Sequence, residues 1–447
     1  MKPFNLKEIP TKQWIKAAVA CFTYILFIVW VGNFWWLLLL PVIFDVYITK
    51  MIPWTWWKKT KNPAVHKVFE WVDAIVFALV AVYFINLYLF QNYRIPTSSL
   101  EKTLLVGDFL FVSKVAYGAR IPNTPLSFPL VQNTFPVINT KSYLEKPQWE
   151  YKRLKGFGNV TRNDIVVFNF PAGDTVALLA QNPDYYTLCY LYGRENIHNN
   201  PNVGKIVYFP VDRRENYVKR CVGLPGDTLQ IIENQLFING FAQEEVKGLQ
   251  FNYSVQAQLT NRDFEKLGIS KDDRRLSFTK QGKSLYDFPM TKDALSTLKQ
   301  IHATAEVQIE TDPDIDRIYP LGNTYGWTRD NYGPIWIPKK GATIQISIDN
   351  INIYERCIRN YERNDLKISG EEIYINGQLA TEYTFGMDYY WMMGDNRHNS
   401  ADSRCWGFVP EDHVVGQPVF VWLSLDKDKK LFNGGIRWSR FLRNARK

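Results

Sequence analysis

The sequence predicts N-terminal transmembrane helices followed by a β-dominated domain, mostly antiparallel and barrel-like, with inserted loops. Three observations carry this. Apolar residues concentrate before Arg94, while the mean hydropathy of the whole chain is only −0.23, so the remainder must be water-soluble. Beyond Arg94, short β-branched or alternating runs recur between Gly, Pro, Asn and Asp, and helical periodicity is scarce. The 447 residues leave room for about three domains. With 46% hydrophobic, 15% aromatic and 22% charged residues, the chain cannot be collagen-like, a long coiled coil or wholly disordered.

The first element is the uncharged run from Ala17 to Phe44. As a single helix it measures about 42 Å against a hydrocarbon core of about 30 Å. It therefore tilts, overshoots, or breaks near Gly32-Asn33 into a re-entrant pair. A cleaved leader would have an apolar core of roughly 7–15 residues ending in small side chains. This run is longer and ends in Pro41 and bulky residues, which argues for retention. The second run, Ala74 to Tyr93, matches the bilayer and carries Trp71 and Tyr93 at its flanks, as a true span does and a buried core helix need not. Lys50, Lys58, Lys59, Lys61 and Lys67 lie between the runs, so the loop of residues 45–73 is expected in the cytoplasm and the chain after Tyr93 beyond the inner face. Lys2, Lys7, Lys12 and Lys16 are also basic, which leaves open the side of the N-terminus and the number of crossings. Residues 1–93 thus read as a membrane anchor and 94–447 as an exported domain.

Within that domain, strands are expected at Asp164–Phe168, Lys205–Phe209, Tyr217–Val222, Thr343–Ile348 and Pro418–Leu423. Two stretches echo each other. Thr228 to Gly240 and Asp365 to Gly377 each read as strand, turn, strand and a closing Asn-Gly. The polar stretch 242–332 looks like an insertion with a helical patch at 292–300. Cys21, Cys189, Cys221, Cys357 and Cys405 show neither CxxC nor zinc-ligand spacing with the His residues, so no metal or other cofactor is expected; the last four could pair or stay free. Lys and Arg outnumber Asp and Glu by 53 to 44, a net +9 that suits a lipid bilayer. The basic residues are dispersed without an aromatic-basic repeat, so no nucleic-acid partner is expected.

Three segments carry chemistry. Hydroxyls cluster at Thr97, Ser98 and Ser99, just beyond the second apolar run; a solvated juxtamembrane turn is the plain alternative, because a hydroxyl is a weak nucleophile without a base beside it. Lys219 lies in Tyr217-Val-Lys-Arg-Cys-Val, where strand alternation puts it on one face with Tyr217 and Cys221. On an apolar face its amine loses hydration and can serve as a general base; a snorkelling or ion-paired lysine is the alternative. Met393-Gly-Asp-Asn-Arg-His-Asn-Ser-Ala-Asp-Ser-Arg is dense in small, acidic, amide and guanidinium groups, as a loop that holds its neighbours in place would be, or a tight turn with Asp402 and Arg404 merely paired.

Together these segments resemble type I signal peptidase (leader peptidase), the membrane-anchored Ser/Lys endopeptidase of protein export. The family pattern Pro-Ser-x-Ser-Met-x-Pro-Thr-Leu is occupied by Pro96-Thr-Ser-Ser-Leu-Glu-Lys-Thr-Leu, with Thr97, Leu100 and Lys102 replacing Ser, Met and Pro. The resemblance implies that Ser99 attacks the scissile carbonyl while neutral Lys219 takes its proton. It also implies that the Ser99 amide and Thr97 hydroxyl form the oxyanion hole and that Ser400 orients Lys219. Gly394, Asp395, Asn396, Asp402 and Arg404 would support the loop. Substrates would be membrane-bound preproteins bearing signal peptides, cut after small residues at the first and third positions before the bond, at the exoplasmic face of a bacterial inner membrane. Leu100 and Lys102 alter the wall beside the nucleophile. The gap from Ser99 to Lys219 is long, with extra material at 122–158 and 174–204, read as surface loops; this resembles an enlarged, Bacteroidetes-like branch of two-membrane bacteria. Trp336 and Trp406 are candidates for an apolar rim, or for core packing.

Rival readings are a Ser/His hydrolase using His398 or His413, Ser98 as nucleophile, and a catalytically silent membrane-anchored scaffold of the same fold that binds export substrates. No Gly-x-Ser-x-Gly elbow supports the first. The altered serine block motivates the last, and retention of Ser99, Lys219 and Ser400 opposes it.

Overall fold

The computed structural model describes residues 9–446 apart from 136–137, 139, 172–174, 181–182, 279–281, 283, 312–316 and 323. Lys2 and Lys7, part of the basic N-terminal flank, lie outside the described residues. The chain forms two compact units, one of residues up to Leu89 with Gly118–Phe157, the other of Phe90–Tyr117 with Gly158 onward.

The first unit is built on helices α1 (Thr11–Val31) and α2 (Pro63–Phe84). The long apolar run does break near Gly32-Asn33. Gly32 turns left-handed and ties its N–H to Ile28 O at 2.8 Å, and a 3-10 turn, Phe34–Leu39, follows before the short helix Leu40–Phe44. Asn62 opens α2 by accepting from the Ala64 and Val65 N–H groups, with Pro63 in the first turn where a missing donor is harmless. A π-helical turn, Ile85–Leu89, extends α2 to a 27-residue apolar helix. Both helices are long and apolar enough to cross a membrane. The second run was expected over 74–93, but the helix starts earlier and ends sooner. Lys67, Glu70 and Asp73 are compatible with helix though not with lipid, and Phe90–Tyr93, which carries the amides Gln91 and Asn92, finds strand partners instead. Of the stretch 122–158, expected as a surface loop, Trp149 and Leu154 pack with the neighbouring Ala119 and Ile121 on Val31 and Tyr88 of these helices, and Tyr83 Oη donates to Pro125 O at 2.9 Å.

The second unit is organised by an antiparallel sheet. Its strands are β1 (Phe90–Arg94), β2 (Asp108–Ser113), β3 (Ile165–Asn169), β4 (Asn216–Gly223), β5 (Tyr389–Met393), β6 (Val409–Pro410) and β7 (Val414–Ser424). The order is β1-β2-β7-β3-β4-β5-β6, with Arg443–Asn444 pairing against β7. Register shifts between β2 and β7, β7 and β3, and β5 and β4 bend the sheet. Alternation sorts the core: Ile165 and Val167 of β3 join Leu100, Leu104, Leu110 and Val421 on one face, while Val166 and Phe168 join Cys221, Met392, Trp406 and Val409 on the other. β3 is buried throughout, so it reads as an unbroken apolar run.

The echo is a repeated meander. Strands Thr228–Ile232, Gln235–Ile238 and Phe241–Ala242 match Leu366–Ser369, Glu372–Ile375 and Gln378–Leu379. In each, the Asn-Gly pair forms the last turn with positive φ at both residues. Asn239 Oδ1 accepts from Thr228 N–H at 2.8 Å and Asn376 Oδ1 from Asp365 N–H at 2.9 Å. Inside the insertion, strands Arg275–Phe278, Ser284–Met290, Phe251–Gln256 and Glu306–Ile309 form their own antiparallel sheet in that order. Helices Asn261–Leu267 and Lys292–Ile301 close a separate core of Val255, Phe264, Leu267, Phe288 and Leu298.

Candidate active site

Ser99 sits in a single 3-10 turn, Ser98–Leu100, that leaves the extended backbone of Thr97 (φ −127°, ψ 156°). The turn is fixed from behind because Leu100 and Leu104 are buried in the sheet core. Lys219 lies within β4, opposite Val166 of β3; on the other side β5 reaches only to Met393, opposite Arg220, and the chain then leaves the sheet as the polar loop 394–404. Lys219 is 6% and Ser99 9% exposed, and Lys219 Nζ lies 2.5 Å from Ser99 Oγ. Burial brings the amine from a lysine's ordinary 10.5 down to about 8, against the opposing pull of the Asp402 carboxylate.

The loop 394–404 packs around this pair. Gly394 is required by contact: a Cβ there would stand 2.3 Å from Ser400 Oγ and 2.6 Å from Ser99 O. Asn396 N–H donates to Ser99 O at 3.0 Å and its Nδ2 to Ser98 O at 3.3 Å, so the loop grips the Ser98–Leu100 turn by its carbonyls. Asp395 accepts two hydrogen bonds from Arg220, at 2.8 and 2.7 Å, and one from Thr103 Oγ1 at 2.7 Å. Asp402 is paired in the same bidentate way with Arg404, at 2.9 and 2.8 Å, and accepts from Gly394 N–H. Burial pushes the Asp402 carboxyl up, but the Arg404 guanidinium and these hydrogen bonds outweigh it and hold the group at about 2.

The sequence-derived residues therefore converge, with one correction. The hydrogen bond expected from Ser400 to Lys219 is not made: Ser400 Oγ is buried without a hydrogen-bond partner among the described residues, its hydroxyl lying against the Gly394 backbone. Thr97 is exposed, two residues before Ser99. Ser98 Oγ accepts instead from Asn399 Nδ2 at 3.1 Å, which leaves Ser99 as the hydroxyl on the lysine. His398 lies between Asp330 (2.8 Å) and the Asn252 N–H (3.3 Å), and His413 between Asp412 (2.5 Å) and Arg214 (2.8 Å), so each is engaged away from Ser99. Trp406 is core, packed on Phe170 and Tyr217, and Trp336 packs against Tyr354 and Phe385. All five cysteines are free. Among the described residues no cluster of three or more His, Cys, Asp or Glu could hold a metal ion.

Arg220, Thr103 and Asn399 went unassigned in the sequence. Arg220 had a usable signal, since an arginine inside an apolar strand demands a buried carboxylate; Asn399 had none.

The family described as signal peptidase, peptidase S26, matches residues 68–285 and 339–423, which include Ser99, Lys219 and the whole 394–404 loop. The signal peptidase I of Haemophilus influenzae is 25% identical over 392 residues, 86% of this chain and 78% of the relative. That of Buchnera aphidicola subsp. Schizaphis graminum is 25% identical over 400 residues, covering 86% and 87%. That of Helicobacter pylori strain 26695 is 22% identical over 388 residues, covering 84% and 91%. The chain belongs to the signal peptidase (peptidase S26) family.

Proposed function

We propose that this chain is a membrane-anchored Ser/Lys endopeptidase that removes N-terminal signal peptides from exported preproteins. The observation that carries the reading is the 2.5 Å approach of Lys219 Nζ to Ser99 Oγ in a buried site where the amine is brought down to about 8. An amine with that pKa is neutral in part at physiological pH and can accept a proton. On this reading Lys219 takes the Ser99 proton as Oγ bonds to the scissile carbonyl carbon. The ammonium then returns the proton to the departing amine as the C–N bond breaks, leaving an acyl-enzyme that a water, deprotonated by Lys219, hydrolyses. The Ser99 N–H and the exposed Thr97 hydroxyl are assigned to the oxyanion. Helices α1 and α2 are assigned as the anchor, with the lysine-rich 45–73 segment cytoplasmic and the sheet unit on the exoplasmic side of a bacterial inner membrane.

The test is cleavage of a purified preprotein by the detergent-solubilised chain, with mass spectrometry of the new N-terminus. Cleavage after a small residue, lost in Ser99→Ala and Lys219→Ala at unchanged folded yield, supports the assignment. Processing by Lys219→Ala at the wild-type rate would sink it and favour a binding scaffold. A substrate panel with large residues at the first and third positions before the bond is expected to be cut poorly.

A further inference from the structure

The insertion is joined to the Ser99 turn and to the polar loop. Where its sheet begins, Gln250 pairs with the loop, its N–H donating to Asp395 O and its carbonyl accepting from Arg397 N–H, both at 2.9 Å. Asn252 N–H meets His398 on one side, and on the returning segment Asp330 holds the opposite ring nitrogen. The third connection reaches the nucleophile. Helix Asn261–Leu267 ends at Gly268, whose carbonyl accepts a hydrogen bond from Lys102 Nζ.

Lys102 stands three residues after Ser99 with φ +72°, a left-handed conformation that a lysine adopts only where its surroundings hold it. Leu100 O, before this kink, accepts from the Thr103 and Leu104 N–H groups after it, so the backbone at Lys102 and the turn carrying Ser99 form one unit. Gly248 presses on the same place: a Cβ there would lie 3.3 Å from Lys102 Cβ and 3.1 Å from Thr103 Oγ1. Thr103 in turn donates to Asp395. The amine is partly buried against the Gly268 carbonyl; burial brings its pKa down, against the opposing pull of the Glu101 and Asp273 carboxyls.

We propose that the inserted sheet braces the nucleophile turn, with Lys102 as the positioning residue through which the insertion sets the place of Ser99. The inference rests on Ser99 being the nucleophile, as proposed above. It gives the polar 242–332 insertion a role in catalysis without contact with substrate. It also explains why a flexible cation is useful three residues after Ser99: the amine spans the gap to the insertion.

The experiment uses the full chain in detergent, comparing wild type, Lys102→Met, Lys102→Arg, Gly248→Val and Ser99→Ala. It measures kcat and KM on a preprotein and amide hydrogen exchange of residues 97–106 and of β3 and β4. Misplacing a reacting group by about 1 Å costs on the order of a hundredfold in rate. Lys102→Met and Gly248→Val should therefore lower kcat by about ten- to a hundredfold with KM within about twofold. Exchange at 97–106 should quicken by about tenfold while β3 and β4 stay protected. Lys102→Arg should restore both. Unchanged kcat, or kcat and protection of β3 and β4 falling together, would overturn the proposal. If wild type and Ser99→Ala behave alike on the preprotein, the Ser/Lys reading fails; faster exchange in Lys102→Met would still establish the brace.

Discussion

Replacing Lys219 by methionine keeps an unbranched side chain of similar reach and removes a cation that burial disfavours. In the folded chain the amine is held at about 8, in the unfolded chain at the ordinary 10.5. The depressed value means that the ammonium form favours the unfolded state. Below pH 8 the wild type carries the whole of that destabilisation, and it is relieved as the pH climbs from 8 toward 10.5. The difference corresponds to about 3 kcal/mol at pH 7. Methionine gives up the hydrogen bond to Ser99, worth about 1 kcal/mol. Lys219→Met should thus be inactive yet more stable than wild type by about 2 kcal/mol at pH 7, a rise in Tm of about 2–3 °C. At pH 9.5 the wild type has shed about 2 kcal/mol of its disadvantage, and the two proteins should melt nearly together. Thermal unfolding of both in one detergent at the two pH values decides the matter. A variant less stable than wild type by the same margin at both would refute the claim that desolvation of Lys219 sets its pKa.

The same amine should write the pH profile of the reaction. Its neutral fraction rises from about a tenth at pH 7 to about nine-tenths at pH 9, so kcat/KM on a preprotein should climb about tenfold; a limb centred near 10.5 instead of 8 would show an unperturbed lysine. Gly394→Ala forces a Cβ to within 2.6 Å of the Ser99 carbonyl, so it should cost about 1–3 kcal/mol in thermal unfolding and lower processing by about tenfold, and wild-type behaviour in both would contradict the packing described. Arg404→Met leaves Asp402 unpaired beside Lys219 and should move the acidic limb to higher pH, while Arg404→Met with Asp402→Asn should return it toward 8; a limb that stays put in the single variant would remove Asp402 from the electrostatics of the base.

Much of this arrangement was legible in the residues. Alternation in Tyr217–Val222 put Lys219 on an apolar face, and Asn-Gly pairs ended both meanders where the turns occur. The end of α2 had a cue in Gln91 and Asn92, two amides that suit lipid poorly, but the absence of charge before Arg94 hid it; pairing with β2 decides for strand. Ser98 and Ser99 were adjacent hydroxyls with no local distinction, and their separation depends on Asn399 and Lys219 arriving from far along the chain. The packing of residues 118–157 on the helices was hidden for a related reason: Ile121, Trp149 and Leu154 are isolated apolar positions in a Pro-rich stretch and have no periodicity to announce a face. Short helices such as Tyr185–Tyr192 and Ile351–Arg356 were missed because β-prone tyrosines and isoleucines fill them; Asp184 capping the first was the available cue.

A lysine base surrounded by carboxylates would ordinarily be a poor base, because each negative charge favours the ammonium form. The polar loop avoids this by pairing its acids before they reach Lys219. Asp402 is matched by Arg404 and Asp395 by Arg220, each bidentate and each with both side chains almost wholly buried. Two neutralised pairs exert a much weaker field on the amine than two bare carboxylates would, and burial is left as the larger influence on it. The pairs also do mechanical work that apolar residues could not: Asp395 ties β4 to Thr103, and Asp402 ties Gly394 to Arg404. Removing one partner of such a buried pair costs about 3–5 kcal/mol, so the loop tolerates little change in place. Lys219 is thereby left without a dedicated counterion among the described residues, and the hydroxyl it meets is Ser99.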